Sequence, residues 1–147
     1  MKPVLAALGL LLASVGSGPA WAQPAAADAP VATQTGPSKP AFESCADAYG
    51  SLARLQAHFG AEGSLLTEQY PAFARINFDD RLSALASRAD RGPGDLKTPA
   101  QIEKSDFYRK LIDAETEGDT ATEGVKDVAF AATACDTAYG FTPSLGG

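Results

Sequence analysis

The chain has few of the residues from which most enzyme active sites are built. It contains one histidine, His58, and only two cysteines, Cys45 and Cys135, which are too far apart to form a C-x-x-C motif. Ser-His-Asp and Cys-His catalysis needs a histidine base, and most zinc sites need histidines or closely spaced cysteines. His58 falls near the end of a predicted helix, where an exposed imidazole suits the helix dipole. We therefore expect no catalytic residues and no cofactor.

Positive charge is also scarce. The chain has 12 lysines and arginines against 18 aspartates and glutamates, which gives a formal net charge of −6. Binding to nucleic acid or to an anionic membrane depends on lysine and arginine side chains that neutralise phosphates. The composition therefore argues against a nucleic-acid partner and leaves an unknown protein or small ligand as the expected partner.

The one long apolar run of the chain lies at its N-terminus. Lys2 precedes an apolar run from Val4 to Val15, and Ala20-Trp21-Ala22 forms a small-x-small cleavage site. This order is typical of a secretory signal peptide, and the run is too short to span a membrane as a helix. We predict a signal peptide over residues 1–22, a mature protein without a membrane span, and a periplasmic or secreted location. A retained membrane anchor is the alternative.

Residues 23–40 are rich in proline and alanine and contain no apolar residue larger than valine. Such a segment cannot bury enough apolar surface to offset the conformational entropy lost on folding. We predict a disordered tether here, then one helical domain over residues 41–141. The last residues, 142–147, are predicted to form a flexible C-terminal tail.

Apolar residues in the first part of the domain recur at steps of three and four, which predicts helices. The first helix is predicted from Phe42 to Phe59, with Gly60 as its stop. A second helical stretch begins near Ser64 and contains Pro71, where the missing amide predicts a kink or a break.

Capping signals place the remaining helices. Asn77 is suited to cap a fresh start after that break, and Thr98-Pro99-Ala100-Gln101 is a capping box that begins the next helix, ending at Gly118. Thr120-Ala121-Thr122-Glu123 offers a second capping box for a last helix that ends at Gly140. No segment alternates with a period of two. The predicted fold class is all-α, a small up-down bundle of four helices, or five if the second one breaks.

The two cysteines lie in twin segments that both read C-x-x-A-Y-G, at 45–50 and 135–140. In an exported protein, two cysteines most simply form one disulfide. Cys45 falls in the first turn of the first helix and Cys135 in the last turn of the last helix, and these turns lie at the same level if the two helices are antiparallel neighbours. We predict a Cys45–Cys135 disulfide that contributes about 4–5 kcal/mol in the chain-entropy model.

The tyrosines of the twin segments are predicted to lie apart. Each tyrosine follows its cysteine by four residues, but in antiparallel helices those steps point in opposite directions. Tyr49 should point into the bundle and Tyr139 past its end towards Phe42, so the two tyrosines should be separated by about 12 Å. The repeat therefore indicates two helix ends with similar packing, and one shared site is disfavoured.

An acidic segment, residues 113–124, resembles an EF-hand calcium loop. Its acidic positions would be the calcium ligands: Asp113, Glu115, Glu117, Asp119 and Glu123. Position twelve of the loop is Gly124, so the bidentate carboxylate of an EF-hand is missing. These residues are therefore weak calcium candidates, and the favoured interpretation is a solvated loop between two helices.

The stretch from Tyr70 to Phe78 is rich in aromatic residues. If it is exposed, Tyr70, Phe73, Ile76 and Phe78 would form an interaction patch for a partner or ligand. The alternative, which we favour, is that it packs in the core at a helix break.

These observations favour a non-catalytic function. We expect an exported, small helical binding or interaction protein of the cell envelope. One alternative is a periplasmic stress chaperone activated by acid, because carboxylates that lose their charge at low pH would loosen such a bundle. This alternative rests on general design alone: small, helical, acidic, with one disulfide. An inhibitor or immunity protein is the other alternative.

Overall fold

The computed structural model describes residues 39–145, and all regular secondary structure in this range is helical. In chain order the α-helices are α1 (Phe42–Phe59), α2 (Leu66–Gln69), α3 (Phe78–Arg88), α4 (Pro99–Ile102), α5 (Asp106–Glu117) and α6 (Glu123–Tyr139). Two 3-10 helices, Pro71–Arg75 and Pro93–Asp95, flank α3. The predicted all-α class is confirmed. The predicted signal peptide, most of the tether and residues 146–147 lie outside the described residues.

The first helix is the centre of the domain. α1 packs against the three other long helices, α3, α5 and α6, and also against the short α4. Its side chains are buried on almost every face over the first four turns, including Cys45, Tyr49, Leu52 and Leu55. None of the helices between residues 39 and 145 is both long and apolar enough to cross a membrane.

The predicted break in the second helix is confirmed. α2 ends at Gln69, and Pro71 begins a 3-10 helix instead of continuing the α-helix. The side chain of Gln56 on α1 forms hydrogen bonds with main-chain groups of the segment that follows α2. Its Nε2 donates to the carbonyls of Phe73 and Ile76 at 2.8 and 2.7 Å. A polar side chain from the central helix therefore replaces the hydrogen bonds that the break removes.

The capping predictions were partly correct. The Asn77 side chain accepts from the amides of Asp79 and Asp80, and Thr98 forms the predicted capping box with Gln101. The helix that Thr98 begins ends after one turn at Ile102, however, and Ser105 caps a new helix, α5. The single helix predicted from Thr98 to Gly118 is therefore two helices.

The start of the last helix also differs from the prediction. The N-cap of α6 is Thr122, whose side chain accepts from the amide of Val125 at 3.2 Å, so the capping box predicted at Thr120 is wrong. Both predicted stops are confirmed, because Gly118 and Gly140 adopt the left-handed conformation that ends α5 and α6.

The residues after α6 fold back onto the bundle. We call residues 141–145 the strap. Ser144 and Leu145 are fully buried, and the Thr133 hydroxyl on α6 donates to the Leu145 carbonyl at 2.6 Å. The prediction of a flexible tail is therefore wrong for residues 142–145. The reason is a set of polar contacts to a buried carboxylate, which forms the centre of the site described next.

Candidate functional site

A disulfide joins the first and last helices, as predicted. Cys45 and Cys135 are bonded, with their Cα atoms 5.7 Å apart, and both side chains are buried. The bridge connects the first turn of α1 to the last turn of α6. It fixes the relative position of two helices that are far apart in the sequence.

The twin C-x-x-A-Y-G segments have different roles. Tyr49 is fully buried, whereas Tyr139 is partly exposed at the end of the bundle, where the ammonium of Lys39 lies 4.1 Å from its ring centroid. The glycines differ as well. A Cβ on Gly50 would lie 2.6 Å from Cδ1 of Ile102, whereas Gly140 has a φ of 73°. Gly50 allows α4 to pack closely against α1, and Gly140 ends α6.

Asp136, directly after Cys135, is the acceptor at the centre of a buried polar cluster. Its Oδ1 accepts from the Tyr49 hydroxyl at 2.6 Å and from Nη1 of Arg81 at 2.9 Å. Its Oδ2 accepts from the amide and the hydroxyl of Ser144 at 2.7 and 2.6 Å. We call these four residues the Asp136 cluster. They come from α1, α3, α6 and the strap, so one carboxylate connects four segments of the domain.

The charge of this cluster is balanced internally. Asp136 is 1% exposed and Arg81 is 9% exposed, and they form a buried ion pair in which further hydrogen bonds satisfy the carboxylate. Burial raises the pKa of Tyr49 well above its usual value, and the hydrogen bond to Asp136 raises this pKa further. The phenol therefore stays neutral and donates its proton to Asp136. The four donated hydrogen bonds use both oxygens of the Asp136 carboxylate. The role of Asp136 is therefore structural.

An open cleft of about 670 Å³ lies between the start of α1 and the junction of α4 and α5. Its charged lining includes both signs: Glu43, Asp47, Lys97, Lys104, Asp106 and Lys110. Lys97 forms an ion pair with Asp47 at 2.7 Å across the cleft. The cleft is therefore lined by three acidic and three basic side chains, with no excess of either charge.

Lys110, which lines this cleft, forms an ion pair with Asp127 of α6. Nζ of Lys110 is 2.8 Å from the Asp127 carboxylate and 5.9 Å from the centroid of the Phe107 ring. Phe130 follows Asp127 by three residues on α6 and is 79% exposed. We call Phe107, Lys110, Asp127 and Phe130 the α5–α6 face.

The weak calcium candidates are not gathered at one point. Glu115 on α5 accepts from the Ser64 hydroxyl and from the amides of Leu65 and Leu66, so it caps the short helix α2. Asp119 accepts from the amide of Ala121, and Glu123 pairs with Lys126. Asp113 and Glu117 are exposed positions of α5. Among residues 39–145, no three His, Cys, Asp or Glu side chains are arranged to hold one metal ion.

The aromatic stretch divides between core and surface. Phe73 and Phe78 are fully buried and pack against each other with ring centroids 5.7 Å apart. Tyr70 and Ile76 are partly exposed beside them. The two phenylalanines are therefore core residues at a helix break, which is the interpretation that the sequence favoured. His58 is exposed in the last turn of α1, as expected.

Neither the Asp136 cluster nor Phe130 was predicted from the sequence. Only Phe130 had a signal, because it is an aromatic residue outside the predicted apolar face of α6. Comparisons with protein-family models, with curated proteins and with solved structures found no match.

Proposed function

We propose that this protein is an exported, non-catalytic interaction protein of the cell envelope, and that it binds a partner protein through the α5–α6 face. The observation that carries the proposal is the exposure of Phe130. Within the described range, the only other large apolar side chain that is exposed is Phe59, which is 37% exposed at the end of α1. Phe130 is 79% exposed in the middle of a long helix.

The surroundings of Phe130 support a binding role. Aromatic residues enclosed by polar or charged neighbours contribute most of the affinity at many protein interfaces. Phe130 has the Lys110–Asp127 ion pair one turn away, and the cleft extends from Lys110 towards α1. Burial of the phenyl ring by a partner would gain about 2–3 kcal/mol. The ion pair would add specificity at the rim.

The proposed location rests on the disulfide and the N-terminal sequence. Disulfides persist mainly in oxidising compartments such as the periplasm and the extracellular space. The Cys45–Cys135 bond agrees with the secretory features of residues 1–22. The net negative charge supports a protein partner over nucleic acid.

Chemical cross-linking in the native envelope, followed by mass spectrometry of captured proteins, tests the proposed function. The wild-type chain should capture a partner that Phe130→Ala captures at least about tenfold less. Phe59→Ala is the matched control, because it removes the other exposed aromatic side chain and should leave capture unchanged. Equal capture by wild type and Phe130→Ala would refute the α5–α6 face as the binding surface.

A second candidate is a stress chaperone activated by acid. The observation that favours it is the strap, which covers the core residue Tyr49 with the Phe141 ring, 5.9 Å away, and is held in part by hydrogen bonds to Arg81 and Asp136. Protection of an aggregating client at acid pH, but not at neutral pH, would support this candidate. If the cross-linked partner is a secreted enzyme or a toxin, the function is instead that of an inhibitor or immunity protein.

A further inference from the structure

We infer that the strap is an intramolecular ligand in a peptide-binding groove formed by α1, α3 and α6. The same groove would accept an extended segment of another protein when the strap leaves it. The strap has no helical residues and follows the left-handed Gly140 directly. This groove is a different surface from the α5–α6 face, and the inference does not depend on the proposed function.

Side chains of the helices bind main-chain groups of the strap. The contacts are three: Arg81 Nη1 donates to the Thr142 carbonyl at 2.8 Å, Asp136 Oδ2 accepts from the Ser144 amide at 2.7 Å, and Thr133 Oγ1 donates to the Leu145 carbonyl at 2.6 Å. Any extended peptide offers the same carbonyls and amides. Proteins that recognise extended peptides gain affinity from such main-chain contacts and specificity from side-chain pockets.

Two strap side chains are buried in the groove, and two more contact its rim. The Ser144 hydroxyl donates to Asp136 at 2.6 Å, and Leu145 is 1% exposed within the apolar core. At the rim, the Phe141 ring packs against Tyr49, and the Thr142 hydroxyl oxygen accepts from Nη2 of Arg81 at 3.1 Å. The groove therefore selects a segment in which a hydroxyl residue is followed by an aliphatic residue, with the weakest constraint at the exposed Pro143 position.

The walls of the groove are held together without the strap. The Cys45–Cys135 disulfide fixes α1 to α6 at the residue next to Asp136. The Arg81–Asp136 ion pair also joins α3 to α6 independently of the strap. When the strap leaves, water can solvate the groups that it released. The strap can therefore open locally while the bundle stays folded.

The test uses the full chain with a weakened strap. Ser144→Ala/Leu145→Ala removes the hydroxyl and most of the aliphatic side chain, so the strap no longer competes well for the groove. A fluorescent peptide with the sequence of residues 141–147, Phe-Thr-Pro-Ser-Leu-Gly-Gly, should bind this variant at least about tenfold more tightly than it binds the wild-type chain. The same peptide carrying both alanines should not bind either chain.

A pair of additional variants locates the binding. In the weakened-strap chain, Thr133→Val, which removes the donor to the carbonyl of residue 145, should weaken peptide binding severalfold, whereas Asp127→Asn, on the exposed side of the same helix, should preserve it. Circular dichroism should show the wild-type helix content in the Ser144→Ala/Leu145→Ala chain. Peptide binding that is absent, or equal for the two peptides, would overturn the inference. A loss of helix content in this chain would also overturn it, since the strap would then be an integral part of the core.

Discussion

The hydroxyl of Tyr49 donates to the carboxylate of Asp136 across a distance of 2.6 Å, and this bond connects the first helix of the domain to the last. It lies directly beside the disulfide, because Asp136 follows Cys135 in α6. A covalent bond and a buried hydrogen bond therefore hold the same helix pair. They differ in what removes them: reduction breaks the first, and high pH or a single substitution breaks the second.

Tyr49 should make the protein sensitive to alkaline pH. Its pKa is raised in the folded state, so the neutral phenol stabilises the fold below the ordinary tyrosine pKa of 10.0, and this contribution is lost as the pH rises above that value. The free energy of unfolding should decrease by up to about 1.4 kcal/mol per pH unit above about pH 10 through this residue alone. Denaturant unfolding of wild type and Tyr49→Phe at a series of pH values measures this pH dependence.

In Tyr49→Phe, the free energy of unfolding should decrease less steeply with pH above about pH 10. This variant should also be less stable than wild type at neutral pH by about 1–2 kcal/mol, because the hydrogen bond to Asp136 is lost. Tyr139→Phe is the matched control from the other twin segment and should keep the wild-type pH dependence. If Tyr49→Phe and wild type lose stability in parallel above pH 10, Tyr49 is not the residue responsible.

Asp136 should contribute more to the stability of the domain than any other carboxylate. Asp136→Asn leaves the buried guanidinium of Arg81 without its counter-charge, and such changes destabilise by about 3–5 kcal/mol. Asp127→Asn removes an exposed ion pair with Lys110 and should change stability by no more than about 1 kcal/mol. Urea unfolding of both variants measures the difference, and similar losses in the two would contradict the structural role of the Asp136 cluster.

The disulfide should stabilise the domain without creating its helices. A peptide map under non-reducing conditions should recover Cys45 and Cys135 in one linked pair from a single chain. Cys45→Ala/Cys135→Ala should lose about 2–5 kcal/mol of stability, because the bond restricts mainly the unfolded chain. Its circular dichroism spectrum at low temperature should remain that of a helical protein. Free thiols or a bridge between chains would be incompatible with the disulfide that joins α1 to α6.

Glu115 should matter for stability whether or not calcium is present. Glu115→Ala removes the carboxylate that caps α2 and should destabilise by about 1–2 kcal/mol. Glu117→Ala, two residues later and exposed on α5, should change little. We expect millimolar calcium to shift the melting temperature of wild type only slightly. A clear calcium-dependent stabilisation that both variants abolish would restore the EF-hand-like loop as a metal site.

The sequence carried enough information for the architecture but not for the details of helix ends. The break at Pro71 follows from its missing amide, and the disulfide follows from two cysteines at opposite ends of the helical run. The break before Ser105 was missed, although residues 103–106 are all polar and Ser105 is a residue type that favours the N-cap. A tertiary contact accompanies that break: the Ser105 hydroxyl lies 3.1 Å from the hydroxyl of Ser51 on α1.

The candidate sites were harder to predict for a physical reason. Asp136 and Arg81 are compatible with burial only because they meet each other, and they are separated by 55 residues. A single sequence gives no means of pairing them. Phe130 is different, since it lies off the apolar face of α6 that Val125, Val128, Ala132 and Cys135 define. A helical projection of α6 would have marked it as exposed.

The central position of α1 has a consequence for how the domain forms. Among the helices of residues 39–145, α1 comes first in the chain and packs against α6, which comes last, and their cysteines are 90 residues apart. Contacts between such distant segments slow folding, because the intervening chain must be ordered before they can form. An incomplete chain would lack the partner of Cys45 and the acceptor of Tyr49. The core can therefore close only after the whole domain has been made, and until then α1 stays available to any factor that keeps the chain unfolded.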